Sequence, residues 1–459
     1  MGDNNSTGAP SEPTLPPLVP EGTPPSFTPA SPALCFHIHG RWRRARAATV
    51  HLPHGPLATP VFMPVGTKGT IKGIPTEQLL HEDLSPQIIL GNTYHLALQP
   101  GTELLEEMGG LHEFMQWPRN LLTDSGGFQM VSLLALAEIT EEGVRFQSPV
   151  DGTQMLLTPE MSISHQNRIG SDIMMQLDDV VSSVTVDHAR FVEATARSIR
   201  WLDRCRKAHS RPREQNLFGI IQGGLDTSPG GLRDECLTAM VARDCPGYAI
   251  GGLAGGESKE AFWKVVAQCT AALPEGKPRY LMGVGYPLDL VVCTALGVDM
   301  YDCVYPTRTA RFGVALRDAG VLKLKNKACA GEEKQAIDPS CGCMVCRHYS
   351  QAALHRLLKS GALGCQLVTY HNLAYMLGLM RRMRSAIMQG GQAFPRFVVR
   401  FLTTHYASKN REEGVECRRK GECGMVPEWV REALAVAGID VPDQSQEGNG
   451  HDQGGKDPF

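Results

Sequence analysis

Three cysteines within six residues, Cys341-x-Cys343-x-x-Cys346, are the most specific chemical signal in the chain. A tight turn can bring three thiolates to bonding distance of one tetrahedral ion, and zinc is the usual ion at such spacings. Buried free thiols are the alternative, but a polar turn that contains Gly is hard to bury. A fourth ligand is needed, and the spacing does not choose among three candidates, His348, His355 and His371. We therefore predict one structural zinc ion with four protein ligands.

Several carboxylates stand where apolar runs end. Asp124 opens the segment Asp-Ser-Gly-Gly, and the two acids at 178–179 follow another run. For each of these, a helix cap or an Asx turn is the ordinary explanation. Asp302 differs because apolar residues flank it on both sides. A carboxylate in that position is ion-paired, faces a cavity or takes part in catalysis, and the candidate ion-pair partners are Arg308 and Arg311.

The apolar runs predict the elements that must position these residues. Seven short runs end in small or polar residues before a more helical stretch begins, and they lie at 88–90, 121–122, 173–177, 217–221, 248–250, 280–282 and 300–301. Such runs suit strands that are buried on both faces, as in a parallel sheet. The segment 187–208 predicts a helix, since Asp187 can cap its N-terminus and basic residues suit its C-terminal end.

The number and spacing of these segments predict the fold. Seven or eight strand–helix units over about 250 residues match the size of a (β/α)8 barrel, in which the loops after the strands build the active site. A doubly wound sheet is the competing fold, but neither Gly-rich stretch, 251–256 or 283–288, has the G-x-G-x-x-G spacing of its phosphate loop. We predict an α/β barrel whose mouth holds at least three carboxylates and Gln222, which suits chemistry at an anomeric carbon.

The charge balance predicts where a polyanion would bind. The whole chain has 45 Lys and Arg against 48 Asp and Glu, and the formal net charge of −3 by itself argues against a nucleic-acid partner. Residues 299–439, however, hold 21 basic against 12 acidic residues, and this excess begins directly after Asp302. A solvated face is the ordinary explanation of a basic stretch, but its position beside the candidate active site favours a phosphate-rich substrate.

The two terminal segments differ in composition from the rest of the chain. Residues 1–33 are Pro-rich without Lys or Arg, and residues 440–459 are acidic and rich in Gly and Gln, so we predict two disordered tails. The first tail has neither a secretory nor a mitochondrial targeting pattern, and no apolar run is long enough to span a bilayer. Fourteen irregularly spaced cysteines favour a reducing, cytoplasmic compartment over a disulfide framework.

Seven motifs, all in order, closely resemble the tRNA-guanine transglycosylase family. They are LLTDSGGFQMVSL at 121–133, QLDDVV at 176–181, IIQGGLD at 220–226, IGGLAGGES at 250–258, YLMGVG at 280–285, DMYDCVYPTRTARFG at 299–313 and the CxCxxC turn followed by His371. The resemblance covers about 34–440 of the chain. It implies a zinc-containing (β/α)8 barrel that exchanges the wobble guanine in the anticodon of certain tRNAs for queuine.

The resemblance also implies roles for individual residues. Asp302 would attack the ribose anomeric carbon and expel guanine, leaving a covalent ribosyl-enzyme, and Asp124 would accept a proton when queuine attacks. Gly255 would leave room for the cyclopentenediol group of queuine, where bacterial relatives that use a smaller base carry Val. The implied base contacts are Ser125, Gly126, Gly127, Asp178, Gln222, Gly252 and Leu253, with the ring between Phe128 and Met282.

Further residues are implied to contact tRNA or zinc. The zinc ligands correspond to Cys341, Cys343, Cys346 and His371. The tRNA contacts correspond to two segments, Gly283, Val284, Gly285, Tyr286, Pro287, Leu288 and Asp289, and Thr307, Arg308, Thr309, Ala310 and Arg311. The second segment opens the basic part of the chain, so the resemblance and the charge balance favour the same surface.

The same resemblance divides the chain and implies a partner. We predict a catalytic region at 34–313 and a zinc-binding, barrel-completing region at 314–439, with a basic segment at 409–424 that looks inserted. The presence of both Asp124 and Asp302 marks the catalytic half of a heterodimer with a homologous accessory subunit. Family members associate with the mitochondrial outer membrane, which is the second expected location.

Two other functional classes share some of these features. A retaining glycosidase would use the same pair of carboxylates, but the basic surface and the zinc site argue against a neutral sugar substrate. A non-catalytic RNA-binding module would account for the metal and the basic residues, but it leaves Asp302 within an apolar strand unexplained.

Overall fold

The structure, a computed structural model, describes residues 29–127, 137–148, 152–332, 334–412 and 425–441. Its strands in chain order are β1 Pro29–Ser31, β2 Leu34–Trp42, β3 Ala45–Leu52, β4 Gly55–Thr59, β5 Val61–Met63, β6 Val65–Gly66, β7 Ile88–Gly91, β8 Asn120–Thr123, β9 Glu138–Ile139, β10 Val144–Gln147, β11 Gln154–Leu157, β12 Ile173–Met175, β13 Asn216–Ile221, β14 Tyr248–Ile250, β15 Arg279–Leu281, β16 Met300–Asp302, β17 Val314–Arg317 and β18 Gly320–Lys323.

Nine of these strands form one parallel sheet with the order β5-β16-β15-β14-β13-β12-β8-β7-β6. The two outer members, β5 and β6, are halves of one strand that is interrupted at Pro64, so the sheet closes on itself as an eight-stranded barrel. β5 pairs with β16, and β6 pairs with β7. The predicted (β/α)8 barrel is confirmed.

Side chains alternate between the two faces of the barrel strands, as the two-residue period of a strand requires. Met175 and Ile220 pack in the barrel interior, whereas their neighbours Met174 and Ile221 pack outward against the surrounding helices. Both faces are buried, which explains why the strands read as continuous apolar runs. Each predicted run contains a strand, although the run at 173–177 forms a strand only over Ile173–Met175.

Helices follow the barrel strands and cover the outside of the sheet. The predicted helix at 187–208 is confirmed as His188–Ala208, and the Asp187 side chain accepts a hydrogen bond from the Arg190 amide. The helices are α1 Thr76–Leu80, α2 Thr93–Leu98, α3 Thr102–Glu107, α4 Leu111–Met115, α5 Pro159–Ile169, α6 His188–Ala208, α7 Leu232–Val241, α8 Lys259–Ala272, α9 Pro287–Ala295, α10 Tyr305–Arg311, α11 Met344–His348, α12 Gln351–Ser360, α13 Ala362–Gln389, α14 Ala393–Glu412 and α15 Glu428–Ala437.

The amino-terminal end of the barrel is closed by an antiparallel sheet of β1 to β4. Leu34, Val50 and Leu57 on this sheet pack in one cluster with the interior residues of the barrel. Because β4 ends two residues before β5 begins, the sheet covers the end from which the barrel strands start. The carboxyl ends of the strands, and with them Asp302, lie at the opposite end.

A buried carboxylate ties this closing sheet to the barrel. His54, in the turn between β3 and β4, contacts Asp172 through its Nδ1 at 2.7 Å, and the Leu121 amide donates to the same carboxylate at 2.8 Å. His112 Nε2 lies 3.3 Å from it. The two imidazole rings are stacked at 3.6 Å, within 15° of parallel. Since a metal must lie near the plane of each imidazole that binds it, this stack favours an ion-paired latch over a metal site.

The latch predicts a pH dependence of stability. Burial raises the pKa of Asp172, but hydrogen bonds from His112 and His54 outweigh it and leave this pKa below 3.8. The hydrogen bond to Asp172 raises the pKa of His54 above 6.5. The contribution of Asp172 to the free energy of unfolding is therefore lost as the pH falls through its lowered pKa. The contribution of His54 is lost as the pH rises through its raised pKa.

We expect the free energy of unfolding linked to this latch to be greatest between about pH 4 and 6.5 and to fall on both sides. Denaturant titrations across pH measure it. His54→Gln should remove the fall on the alkaline side, and Asp172→Asn should cost about 2 kcal/mol near neutral pH. An alkaline fall of the same size in His54→Gln would contradict the assignment.

The carboxyl-terminal part packs on the last barrel helix. The β17–β18 hairpin and the 28-residue helix α13 lie against α10, which directly follows β16. No helix among the described residues combines the length and the apolarity needed to cross a bilayer. The described residues leave out 1–28 and 442–459, which make up most of the two predicted tails, and most of the segment at 409–424.

Candidate active site and metal cluster

Asp302 ends β16 at the carboxyl edge of the barrel. Its Oδ1 accepts two hydrogen bonds, from the Tyr280 hydroxyl at 2.5 Å and from the Gly283 amide at 2.7 Å. Burial raises the pKa of Asp302, and the two hydrogen bonds oppose this shift because they stabilise the charged form. Among the described residues, no Arg or Lys forms an ion pair with Asp302. An ion pair with Arg308 or Arg311 therefore does not explain why a carboxylate lies within this apolar run.

Asp124 follows β8 and is held by the start of α2. Its Oδ1 accepts a hydrogen bond from the Thr93 amide at 2.9 Å, and its Oδ2 accepts one from the Asn92 side chain at 2.5 Å. The Thr93 hydroxyl donates to the Asp124 carbonyl at 2.6 Å. The carboxylate is 9% exposed, so a small part of it faces the mouth of the barrel.

Tyr280 donates to Asp302 and lies within the electrostatic influence of both carboxylates. Burial, the charge of Asp302 and the charge of Asp124 together raise the pKa of Tyr280 well above its ordinary value. The hydroxyl therefore stays protonated at neutral pH and can donate to Asp302. Sequence reasoning missed this role, because a Tyr within an apolar strand run is indistinguishable from a core residue.

A second group of polar residues lies on the neighbouring strands. Gln222 donates to Asp178 Oδ2 at 2.6 Å, and the Ser125 hydroxyl lies 3.3 Å from Asp178 Oδ1. Burial raises the pKa of Asp178 to about 6. Asp179 is also buried, and it is ion-paired with Arg190 and Arg197, so neither acid of this pair points to solvent.

Glycines stand at positions where any side chain would collide with these polar residues. A Cβ at Gly252 would lie 2.6 Å from Gln222 Oε1, and one at Gly127 would lie 3.3 Å from the Asp178 carbonyl. Gly252 and Gly126 have positive φ angles, which favour Gly in both turns. Leu253 and Met282 are half-buried beside the mouth, and Phe128 lies outside the described residues.

The turn that contains Gly255 is fixed by a carboxylate. The amides of Ala254 and Gly255 donate to Glu257 at 2.7 and 3.0 Å, and the Ser183 hydroxyl donates to it at 2.7 Å. Burial alone would raise the pKa of Glu257, but these hydrogen bonds outweigh it and keep the carboxyl ionised. Sequence reasoning missed Glu257 and Ser183 as well, because the hydrogen bonds join two loops that are distant in sequence.

The four predicted metal ligands form one cluster. The Sγ atoms of Cys341, Cys343 and Cys346 lie 3.9, 3.6 and 3.3 Å from His371 Nδ1. His371 Nε2 donates to the Leu316 carbonyl at 2.9 Å, and this hydrogen bond orients the ring so that Nδ1 faces the three Sγ atoms. These residues can hold a metal ion.

The two other candidate histidines lie elsewhere. His355 is buried and bonded through Nδ1 to the Leu324 carbonyl, and His348 is exposed. The cluster is also linked to the active site, because Asn372, next to His371, donates to the Pro306 carbonyl in α10.

Comparison with known proteins agrees with this geometry. A family model described as queuine tRNA-ribosyltransferase matches residues 42–407. A catalytic subunit of queuine tRNA-ribosyltransferase from Schizosaccharomyces pombe is 51% identical over 419 residues, covering 89% of this chain and 98% of the relative. One from Caenorhabditis elegans is 49% identical, covering 87% and 97%. A queuine tRNA-ribosyltransferase from Halothermothrix orenii is 46% identical, covering 75% and 91%.

The chain belongs to the queuine tRNA-ribosyltransferase family. The motif resemblance is confirmed, and the chain is an enzyme of the pentosyltransferase class. The matches to the two catalytic subunits span nearly the whole length of those relatives, so the barrel and the metal-binding region are both included.

In this queuine tRNA-ribosyltransferase family member, the two predicted tRNA segments flank Asp302 at the carboxyl edge. Tyr286 is 52% exposed, and its ring lies 4.5 Å from that of Tyr305. Arg308 and Arg311 are exposed, and no carboxylate among the described residues pairs with them. Four members of these segments, in contrast, are buried, namely Val284, Gly285, Asp289 and Ala310.

Proposed function

We propose that the chain exchanges the wobble guanine in the anticodon of certain tRNAs for queuine. The observation that carries this proposal is the arrangement of Asp302, Asp124 and the Asp178–Gln222 pair at one edge of the barrel. A nucleobase pocket beside two carboxylates suits the removal of one base from a ribose and the addition of another.

The first step is a displacement at the anomeric carbon. Asp302 attacks the ribose C1′, the bond from C1′ to N9 breaks, and guanine leaves with its electron pair and takes up a proton. Oδ1 of Asp302 is occupied by Tyr280 and Gly283, whereas Oδ2 accepts no hydrogen bond from the described residues and is available to attack. Both donors stabilise the charged form of the carboxylate and fix its orientation.

The second step reverses the first with a different base. Queuine transfers a proton from its ring nitrogen to Asp124 and attacks C1′, and the ester bond to Asp302 breaks. Each step inverts the carbon, so the configuration is retained overall. The hydrogen bonds from Asn92 and Thr93 fix the orientation of Asp124 for this transfer.

Recognition of the base rests on the second polar group. Gln222 and Asp178 offer donors and acceptors in a buried setting, where an unpaired polar group on the wrong base is costly. The ring of a flipped-out base would lie between Phe128 and Met282, with Gly252 and Leu253 along its edge.

The metal we propose is a single structural zinc ion. Three Cys and one His are the donor set that zinc prefers, and four protein ligands leave no open position for water. When bound, the ion stabilises the carboxyl-terminal region and takes no part in the exchange. Its ligands come from the turn at 341–346 and from α13, so the ion would hold these two elements together.

An exchange assay tests the proposed function. The chain is incubated, with an accessory subunit where one is available, with tRNA that has guanine at the wobble position and with labelled guanine or queuine. Incorporation of label into tRNA is expected. A glycosidase would instead release sugar from an oligosaccharide, and a binding module would retain tRNA without label.

The partner and the location are proposed by analogy with other family members. We propose a heterodimer with a homologous accessory subunit, in line with the name catalytic subunit carried by the two eukaryotic relatives. Attachment to the mitochondrial outer membrane would then depend on protein contacts.

Queuine use predicts a selective effect at Gly255. A Cβ there would lie 2.6 Å from the Ser183 hydroxyl, so Gly255→Val must displace Ser183 and narrow the turn held by Glu257. We expect queuine incorporation to fall by about tenfold or more, with guanine exchange reduced much less. Gly276→Val is the control, since nothing lies near a Cβ at that position. Equal loss of both reactions would contradict the prediction.

The exposed arginines predict the salt dependence of tRNA binding. Replacing Arg308 and Arg311 with Gln should weaken binding and reduce the slope of log K against log salt by about 1 per residue, because each contacts a phosphate. Filter binding at several salt concentrations measures the slope. Deletion of residues 1–28, which spares β1, is the control and should leave it unchanged. An unchanged slope in the Gln variants would place tRNA elsewhere.

A further inference from the structure

Arg233, in the first turn of α7, is completely buried. Its Nη1 donates to the Ile221 carbonyl at 2.9 Å and to the Gly251 carbonyl at 3.1 Å, and its Nη2 donates to the Gly224 carbonyl. No carboxylate among the described residues forms an ion pair with this guanidinium. Since a buried charge is costly even with neutral partners, its position requires an explanation beyond packing.

The carbonyls that Arg233 binds belong to the turns that present the base contacts. Ile221 is the last residue of β13 and directly precedes Gln222. Gly251 follows the neighbouring strand β14 and directly precedes Gly252. One guanidinium therefore joins the carboxyl ends of two adjacent strands, one residue before each base contact.

The guanidinium also lies directly behind these base contacts. A Cβ built on Gly252 would be 2.6 Å from Gln222 Oε1 and 3.6 Å from Arg233 Nη2. The turn that follows β13 also packs tightly against the start of α7, because a Cβ at Gly223 would lie 2.7 Å from the main-chain nitrogen of Arg233. The main-chain amide of Gln222 lies 3.2 Å from the Sγ of Cys236, which is on α7 together with Arg233.

We propose that Arg233 is a positioning residue for base recognition, which sets the distance and orientation of Gln222 relative to the Gly252 backbone. This inference rests on the proposed function. The planar guanidinium can donate in several fixed directions, whereas the ammonium of Lys is a point charge on a flexible stem. The planar arrangement of N–H donors, in addition to the positive charge, is therefore needed to bind the carbonyls of both turns at once.

Arg233→Lys tests this inference, with Arg243→Lys as the matched control. Arg243 lies just beyond the same helix, and its guanidinium pairs with Asp203 on the surface. Three quantities are measured for the chain with its accessory subunit: KM and kcat for labelled guanine, the preference for guanine over 2-aminopurine, which lacks the 6-oxo group, and the melting temperature. Calorimetry with guanine alone reports binding in the absence of tRNA.

For Arg233→Lys we expect KM for guanine to rise and the preference for guanine to fall, each by about tenfold, with a smaller change in kcat. Wild-type values of KM and preference, with or without a lower melting temperature, would overturn the positioning role. If Arg233→Lys does not fold, Arg233→Gln, whose amide can still donate to two carbonyls, is measured against the same criteria. A wild-type chain that binds guanine without exchanging it would reject the proposed function and leave the calorimetric test of Arg233 in force.

Discussion

Asp302→Ala is expected to abolish base exchange and the covalent RNA adduct that survives a denaturing gel. Alanine has no atom that can form the bond to C1′, and loss of a nucleophile reduces turnover on the order of 10⁴-fold or more. The measurement combines incorporation of labelled guanine with gel detection of the adduct. An adduct that persists in Asp302→Ala would assign the nucleophile to another residue.

Two further variants serve as comparisons for the loss of base exchange in Asp302→Ala. Asp203→Ala removes a surface carboxylate that pairs with Arg243, and it should leave exchange unchanged. Tyr280→Phe keeps the nucleophile but removes one of the two donors to its Oδ1. Because that hydrogen bond favours the charged form, its loss raises the pKa of Asp302, and the acidic limb of the rate profile should shift to higher pH.

Cys343→Ser is expected to release the metal and unfold the carboxyl-terminal region. The thiol is buried at 4% exposure, and a hydroxyl is a poor ligand for zinc. Binding of a structural zinc ion stabilises a fold by several kcal/mol, so a loss on the order of 5 kcal/mol is expected. Elemental analysis and thermal unfolding measure the two effects.

Cys365→Ser is the matched control for the metal. Its thiol is half-buried in the same region and lies outside the cluster, near the Arg311 carbonyl. It should keep the metal content and the melting temperature of the wild type. Full metal content in Cys343→Ser would show that the ion is held by other residues.

The barrel could be predicted from the sequence because its strands are buried on both faces. Continuous apolar runs such as 217–221 carry that signal without reference to any other part of the chain. The closing sheet could not be predicted in the same way, because β2 and β3 mix apolar residues with His and Arg, which reads as a surface segment. The first barrel strand is interrupted by Pro64, which hides its length.

The residues of the candidate site divide along the same line. Asp302 could be singled out because a carboxylate with apolar residues on both sides is unusual in itself. Asp124 could not, because a cap or an Asx turn explains it equally well, and its predicted role came only from the motif resemblance. Tyr280 and Arg233 could not, since each acts through contacts with segments that are near only in the folded chain. A buried Arg in an amphipathic helix looks like an ordinary surface charge until its three carbonyl partners are known.

The split strand at the closure of the barrel has a consequence for the order of assembly. Asp302 pairs with Met63, so its strand, β16, is joined to the first barrel strand, β5. Of all neighbouring barrel strands, these two are the farthest apart in sequence. During synthesis from the amino terminus, that pairing forms only after residue 302 has been added. Pairings of such large sequence separation form slowly. We therefore expect the edge that holds Asp302, the proposed nucleophile, to be completed only when the barrel closes, which a nascent chain shorter than 302 residues cannot do.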